Sequence, residues 1–146
     1  MFGPPGRLYV YFSYGVHWCA NVVVGADGEG SAVLLRAGEV VEGEELARVR
    51  RPAVRPARDL ARGPARLTQA LAIGRDDLDT DLLAPDSPVR LERGPAPAAI
   101  SAGPRVGISQ ATDLPWRFWE TDAASVSPFR PGVRRRRTPG GQDGAP

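Results

Sequence analysis

The stretch that most constrains the fold of this chain is residues 7–21, which read RLYVYFSYGVHWCAN. Every second residue from Leu8 to Phe12 is apolar, and the residues between them are tyrosines. This period of two is typical of a strand with one face in a core. Tyr14 and the glycine after it interrupt the alternation, and an apolar and aromatic run resumes at His17. The pattern predicts a β-hairpin with Tyr14 near its tip.

The rest of the chain reads as short elements separated by segments rich in glycine and proline. We predict strands at residues 31–37, 89–92, 105–108 and 116–119 and a helix over residues 42–51. A second helix is predicted to start at Gly63-Pro64, with an apolar stripe formed by Leu67, Ala70 and Leu71. These elements predict an α+β fold in which residues 1–130 form one domain. We expect this domain to be built on a curved antiparallel sheet with a protruding β-hairpin and a few short helices. Residues 131–146 are rich in arginine and poor in apolar side chains, so we expect a disordered tail.

The composition excludes several classes of protein. A chain of 146 residues, of which 42% are hydrophobic and 25% charged, is ordinary for a globular domain. No apolar run is long enough to span a bilayer, and the first residues do not resemble a signal peptide. One cysteine and one histidine offer neither an internal disulfide nor a usual metal site. We therefore expect a soluble, cytoplasmic monomer without metal or membrane attachment.

The charge is unevenly distributed along the chain. Residues 46–66 contain seven arginines and one aspartate, whereas residues 76–86 contain five aspartates and no basic residue. The basic side is expected to face phosphate. The four arginines at positions 134–137 either add DNA affinity that depends on salt or belong to a tail without function.

Five segments, in the same order along the chain, resemble the alkyladenine (3-methyladenine) DNA glycosylase family. They are residues 1–36, with MFGPPGRLYVYFSYGVHWCAN followed by VLLR, and the segments RAGEVVEG at 36–43, GPARLTQALAI at 63–73, GPRVGIS at 103–109 and PWRFW at 115–119. The resemblance implies a DNA repair enzyme associated with double-stranded DNA that contains damaged purines. Such an enzyme flips alkylated or deaminated purines out of the duplex and hydrolyses the N-glycosidic bond, with no metal or organic cofactor.

The resemblance also implies a role for several residues. Tyr14 matches the side chain that intercalates into DNA, and Tyr11 matches one wall of the base pocket. Asn21 matches the asparagine at the pocket floor, which disfavours the exocyclic amine of guanine. Arg36 and the main-chain carbonyl of Val106 match the groups that position the attacking water.

Arg66 lies near the start of the second predicted helix, where it could contact a phosphate. Each of these residues also has an ordinary structural interpretation. Asn21 could be a hydrogen-bonded residue at a strand end, Arg36 could form a salt bridge there, and Arg66 could be a solvated surface arginine. His17 and Cys19 lack a third group to orient them, which argues against a cysteine hydrolase.

An upstream ETEAY-like segment of the family, with the water-activating glutamate and a pocket tyrosine, has no counterpart in this sequence. Nor has the histidine of the second pocket wall. The resemblance thus implies a member without the family's N-terminal part and its general base, either because the start codon was placed too late or because the gene is truncated. Glu39 and Glu42 are the carboxylates nearest in sequence to Arg36, but nothing places them in the pocket. Three hypotheses stay open: an active glycosylase, an inactive DNA-binding remnant of the family, and a protein-interaction module whose aromatic hairpin packs on a partner.

Overall fold

The computed structural model describes residues 1–129, and these residues form two compact units. The first unit comprises Met1–Pro97 and Asp122–Ser127, and the second begins with Ala98–Thr121. Both helices and a three-stranded antiparallel sheet belong to the first unit, and a two-stranded antiparallel sheet belongs to the second. The predicted α+β class is therefore confirmed. The predicted tail, residues 131–146, lies outside the described residues.

The predicted hairpin is present. Strand β1 (Leu8–Ser13) pairs antiparallel with β2 (His17–Val23), and β2 pairs with β3 (Ala32–Leu34). The register places Leu8 opposite Val22 and Ser13 opposite His17. Strand β3 is shorter than predicted, although the Leu35 N–H still donates to the Ala20 carbonyl at 2.9 Å.

The hairpin turn has two central residues with positive φ, 50° at Tyr14 and 66° at Gly15. Positive φ at both positions matches the right-handed twist of the two strands, and glycine adopts it at no steric cost. The Val16 N–H donates to the Ser13 carbonyl at 3.0 Å and closes the turn. This hydrogen bond and the strand pairing that ends at Ser13 and His17 thus fix the backbone of the tip, where Tyr14 lies.

Two α-helices follow the sheet: α1 (Glu44–Arg50) and α2 (Pro64–Leu71). Helix α1 carries glutamates in its first turn and arginines in its last, which suits the helix dipole. Helix α2 begins at Pro64, as predicted, and ends where Ala72 takes a φ of 56°. Short 3₁₀ helices occupy Ala57–Asp59 and Arg75–Asp77.

The first unit has two groups of buried apolar side chains. One lies on the sheet, and it comprises Leu8, Val10, Ala20, Val22, Ile73 and Leu82. The other lies around the two helices, and it comprises Ala47, Leu60, Ala61, Leu67 and Ala70. Half-buried Leu35 packs against both groups and so links the sheet to the helices.

Helix α2 is bonded to the sheet through Thr68. This side chain is buried, and its hydroxyl donates to the Trp18 carbonyl of β2 at 3.0 Å. Of the predicted apolar stripe, Leu67 and Ala70 are buried, whereas Leu71 is 52% exposed. Leu71 is the last residue of α2, and Thr68 takes the position that faces β2.

The structure corrects two of the predicted strands, one in each unit. The sheet of the second unit pairs β4 (Ile100–Gly103) with β5 (Arg117–Glu120), whereas residues 105–108 were predicted to be extended. Gly107, with a φ of 76°, breaks that extended run. In the first unit, the segment predicted as a strand at residues 89–92 is irregular, since its only ladder-like bond runs from the Leu91 N–H to the Leu82 carbonyl.

Candidate functional site

The candidate site begins at the hairpin tip. The Tyr14 side chain is 92% exposed, and Val16 in the same turn is 74% exposed. Burying an aromatic ring is strongly favourable, so a ring held in solvent by an ordered turn is available for stacking on another flat group. The structure therefore leaves the Tyr14 ring exposed at the hairpin tip, and its predicted role as an intercalating side chain stays a prediction.

One face of the hairpin carries the tyrosines, and the other packs on the core. Residues directly opposite each other in an antiparallel pair project to the same side. Tyr11 lies opposite Cys19, and Tyr9 lies opposite Asn21. The Tyr9 and Tyr11 rings stack with centroids 5.8 Å apart and planes 29° apart. The face predicted to be aromatic and polar is thus formed by two neighbouring cross-strand pairs.

Asn21 is 7% exposed, and its side chain is held by the strand beside it. Its Nδ2 donates to the Tyr9 carbonyl at 3.0 Å. This bond agrees with the ordinary interpretation of Asn21 as a hydrogen-bonded strand residue. An amide has two N–H groups and a carbonyl oxygen, so one bond leaves hydrogen-bonding capacity for a ligand.

Tyr11 is 37% exposed and keeps its proton over the physiological range. Burial raises the pKa of its hydroxyl, and a side-chain hydrogen bond with Cys19 raises this pKa further. The raised pKa keeps the Tyr11 phenol in its neutral form at physiological pH. A neutral ring of this kind can stack on a planar base and attract a cation to its face.

Arg36 lies two residues beyond β3 and is half-buried. Its half-buried position agrees with a guanidinium that has partners within the protein. Glu39 and Glu42 are both exposed. The predicted water-positioning role of Arg36 stays a prediction.

Val106 belongs to the second unit and is half-buried between Arg105 and Gly107. The guanidinium of Arg105 lies over the Trp116 ring, 5.4 Å from its centroid. One of its Nη atoms donates to the Gln110 carbonyl at 3.4 Å. The segment that carries the Val106 carbonyl is therefore tied to Trp116 within its own unit.

Most of the arginines at residues 46–66 bind the protein itself. Arg48 pairs with Glu44 at 2.7 Å and also donates to backbone carbonyls. Arg50 donates to the Ala70 carbonyl at 2.8 Å, and Arg62 pairs with Asp59 at 3.0 Å. These guanidinium groups hold loops and helix ends in place, which the run of basic residues in the sequence did not reveal.

Four arginines of this segment are exposed: Arg50, Arg55, Arg58 and Arg66. Arg66 lies in the first turn of α2, and the Arg51 guanidinium is near enough to feel its charge. Burial lowers the pKa of Arg51, and the positive charge of Arg66 lowers it further. The first turn of α2 therefore has a positive local field that would attract an anion.

Two residues of this face, Tyr9 and Cys19, were not predicted to contribute to the site. Tyr9 had no assigned role, and Cys19 was considered only as a nucleophile. The signal for both was the strand alternation, because side chains two residues apart on one strand share a face.

Among residues 1–129, no three His, Cys, Asp or Glu side chains are grouped so that they could hold a metal ion. No helix in this part of the chain is long and apolar enough to cross a membrane.

Comparisons with known proteins agree on one family. The family model described as "Methylpurine-DNA glycosylase (MPG)" matches residues 1–124. A protein of Nocardia farcinica named "Putative 3-methyladenine DNA glycosylase" is 54% identical over 142 residues, which are 96% of this chain. Proteins with the same name from Streptomyces avermitilis and Mycobacterium tuberculosis are 50% and 53% identical over 94% and 92% of this chain. The chain spans about two thirds of the length of these relatives, 66% in each case.

Proposed function

Since the chain belongs to the methylpurine-DNA glycosylase family, we propose that it acts on duplex DNA as a glycosylase that removes damaged purines. The observation that carries this proposal is the hairpin, which combines an exposed ring at its tip with a stacking face behind it. A glycosylase must extrude its target base, fill the gap and hold the base in a pocket. Tyr14 suits the gap, and Tyr11 and Asn21 suit the pocket.

In the proposed complex the Tyr14 ring enters the minor groove at the position that the extruded nucleotide leaves. Inserted side chains of this kind restore part of the stacking that the duplex has lost. The turn supports such a role, because its hydrogen bonds continue the strand ladder up to Tyr14. A side chain on a loosely held loop would lose more conformational entropy on insertion.

The extruded purine would stack on the Tyr11 ring. Base stacking on an aromatic side chain contributes about 1–3 kcal/mol per base. A purine alkylated on a ring nitrogen also carries positive charge, so the face of a neutral tyrosine attracts it more strongly than an undamaged base. Asn21 would contact the edge of the base and discriminate against the guanine amine, in keeping with its position opposite Tyr9.

The reaction would be hydrolysis. The oxygen of a water molecule forms a bond to C1′ of the deoxyribose, and the bond from C1′ to the purine nitrogen breaks. The purine leaves with the electron pair of that bond, and one proton of the water passes to the base or to solvent. We propose that Arg36 orients the water; the same role for the Val106 carbonyl rests on the family likeness of residues 103–109 alone.

The test is a single-turnover assay on duplexes that contain hypoxanthine or ethenoadenine, with an undamaged duplex as the control. Release of the damaged base that is lost in Tyr11→Ala would support the proposal. Selective binding to the damaged duplex without base release would indicate the DNA-binding alternative. Equal affinity for damaged and undamaged duplexes would refute recognition of the lesion, and no affinity for DNA would leave the protein-interaction module as the better hypothesis.

A further inference from the structure

The Tyr11 ring has two neighbours on its face of the hairpin. On one side the ring stacks on Tyr9, which lies two residues earlier on the same face of β1. On the opposite strand Tyr11 lies directly across from Cys19, and the interaction with this side chain contributes to the raised pKa of the Tyr11 hydroxyl. A ring with a stacked neighbour and a cross-strand neighbour has less freedom to rotate about its side-chain bonds than an isolated one.

Both supporting residues are themselves held in place. The carbonyl of Tyr9 accepts the bond from the Asn21 amide, and Cys19 is 3% exposed in the middle of β2. Strand β2 is paired along its length with β1 and, at its far end, with β3. The contacts to Tyr11 therefore come from the two paired strands of the hairpin.

Fixing a side chain in advance matters for binding. A rotamer-rich side chain that is ordered only on binding loses conformational entropy at that moment, and this loss reduces the affinity. An aromatic side chain that is already oriented avoids the loss and offers its face to a ligand at once. Two supports beneath one half-exposed ring are more than the strand itself needs.

We propose that Tyr9 and Cys19 are positioning residues that hold the Tyr11 ring in its stacking orientation before a base arrives. Neither residue has to touch the base for this role, since each acts through Tyr11. The inference rests on the proposed function only for the identity of the ligand, a purine extruded from DNA. The supports themselves are contacts within the protein.

The first experiment is a double-mutant cycle on DNA binding. Tyr9→Leu removes the stacked ring, and Tyr9→Phe keeps it as the matched control. Each is made alone and together with Tyr11→Leu, and the affinity for an ethenoadenine duplex is compared with that for the undamaged duplex. We expect Tyr9→Leu to weaken lesion binding roughly 2- to 10-fold relative to Tyr9→Phe, as one aromatic contact suggests.

The effect should disappear when Tyr11 is already replaced, because Tyr9 would then have no ring to position. An equal loss in both backgrounds would mean that Tyr9 acts independently, and it would overturn the proposal. For Cys19 the pair is Cys19→Ala, which removes the thiol beside Tyr11, and Cys19→Ser, which keeps a hydrogen-bonding group there. Rescue of lesion binding by serine is the expected result, and equal loss with both variants contradicts it.

A second measurement needs no DNA and separates this inference from the proposed function. The ring protons of Tyr11 are followed by nuclear magnetic resonance in protein with labelled tyrosine. Loss of the neighbouring ring should lower the order parameter of the Tyr11 ring in Tyr9→Leu and leave it nearly unchanged in Tyr9→Phe. A protein that ignores damaged DNA but shows this loss of order would refute the glycosylase proposal and retain the positioning role. An unchanged order parameter of Tyr11 in Tyr9→Leu would refute the positioning role itself.

Discussion

The hairpin tip allows the sharpest test of the proposed DNA interface. If Tyr14 fills the gap left by an extruded base, Tyr14→Ala removes one stacking interaction with DNA. Stacking of this kind is worth about 1–3 kcal/mol, which corresponds to a roughly 5- to 150-fold loss of affinity. The loss should appear only with a duplex that offers a gap or a readily extruded base, because intact stacked DNA gives the ring no place to enter.

The substitution should leave the fold nearly unchanged. Tyr14 is 92% exposed, so its ring buries almost no area in the free protein. Substitutions at such surface positions usually change the free energy of unfolding by no more than about 0.5 kcal/mol. Alanine would occupy the same positive φ of 50° that the tyrosine occupies, so the turn itself carries a similar strain in both proteins.

The assay is fluorescence anisotropy at one salt concentration, with one duplex that contains a stable abasic-site analogue and one intact duplex. Tyr14→Phe keeps the ring and should bind both duplexes like the unmodified protein. Val16→Ala alters an exposed side chain of the same turn and controls for general effects at the tip. Equal loss on both duplexes, or a lowered midpoint of thermal unfolding, would refute the wedge and return Tyr14 to an ordinary surface role.

Three further predictions follow from other contacts. Arg66→Ala should reduce the slope of log affinity against log salt by about 0.9 if this side chain contacts one phosphate. The control, Arg48→Ala, removes internal hydrogen bonds, so it should lower the urea midpoint and leave that slope unchanged. Identical slopes in the unmodified protein and both variants would exclude a phosphate contact at Arg66. Thr68→Val removes the hydroxyl bonded to the Trp18 carbonyl and should lower the free energy of unfolding by about 1 kcal/mol in urea titrations, so an unchanged midpoint would contradict the role given to this bond. Burial raises the pKa of Tyr11 above its ordinary 10.0, so the stability that the neutral phenol contributes is complete below pH 10 and is lost as the pH rises above it. Above pH 10 the thermal midpoint of Tyr11→Phe should therefore fall less steeply than that of the unmodified protein. Parallel curves for the two proteins would argue against the raised pKa.

Features encoded by neighbouring residues were predictable from the sequence. The alternation in residues 7–21 identified the hairpin, its core face and Tyr14 at the tip, because the strand period and the turn depend on residues next to one another. The start of α2 at Gly63-Pro64 was predictable for the same reason, since proline is compatible with the first turn of a helix. The family likeness then suggested roles for Tyr11 and Asn21 on the face away from the core.

Partners that are distant along the chain could not be read in this way. Ile100–Gly103, rather than residues 105–108, pairs with β5, because Gly107 bends the chain and the ladder is completed between the other two segments. The run of arginines at residues 46–66 suggested a phosphate-binding surface. Tertiary contacts instead assign Arg48, Arg50 and Arg62 to internal carbonyls and carboxylates.

One cluster, formed by Tyr9, Tyr11 and Cys19, depends partly on the sequence pattern and partly on the tertiary structure. Strand alternation indicates that Tyr9 and Tyr11 share a face, but it cannot say which residue of β2 stands opposite each of them. That choice depends on the hairpin register, which the turn geometry and the burial of the core face determine together. A shift by one residue would turn Cys19 and Asn21 toward the core, so the contacts that orient Tyr11 exist only once the two strands have paired and the sheet has packed on α2.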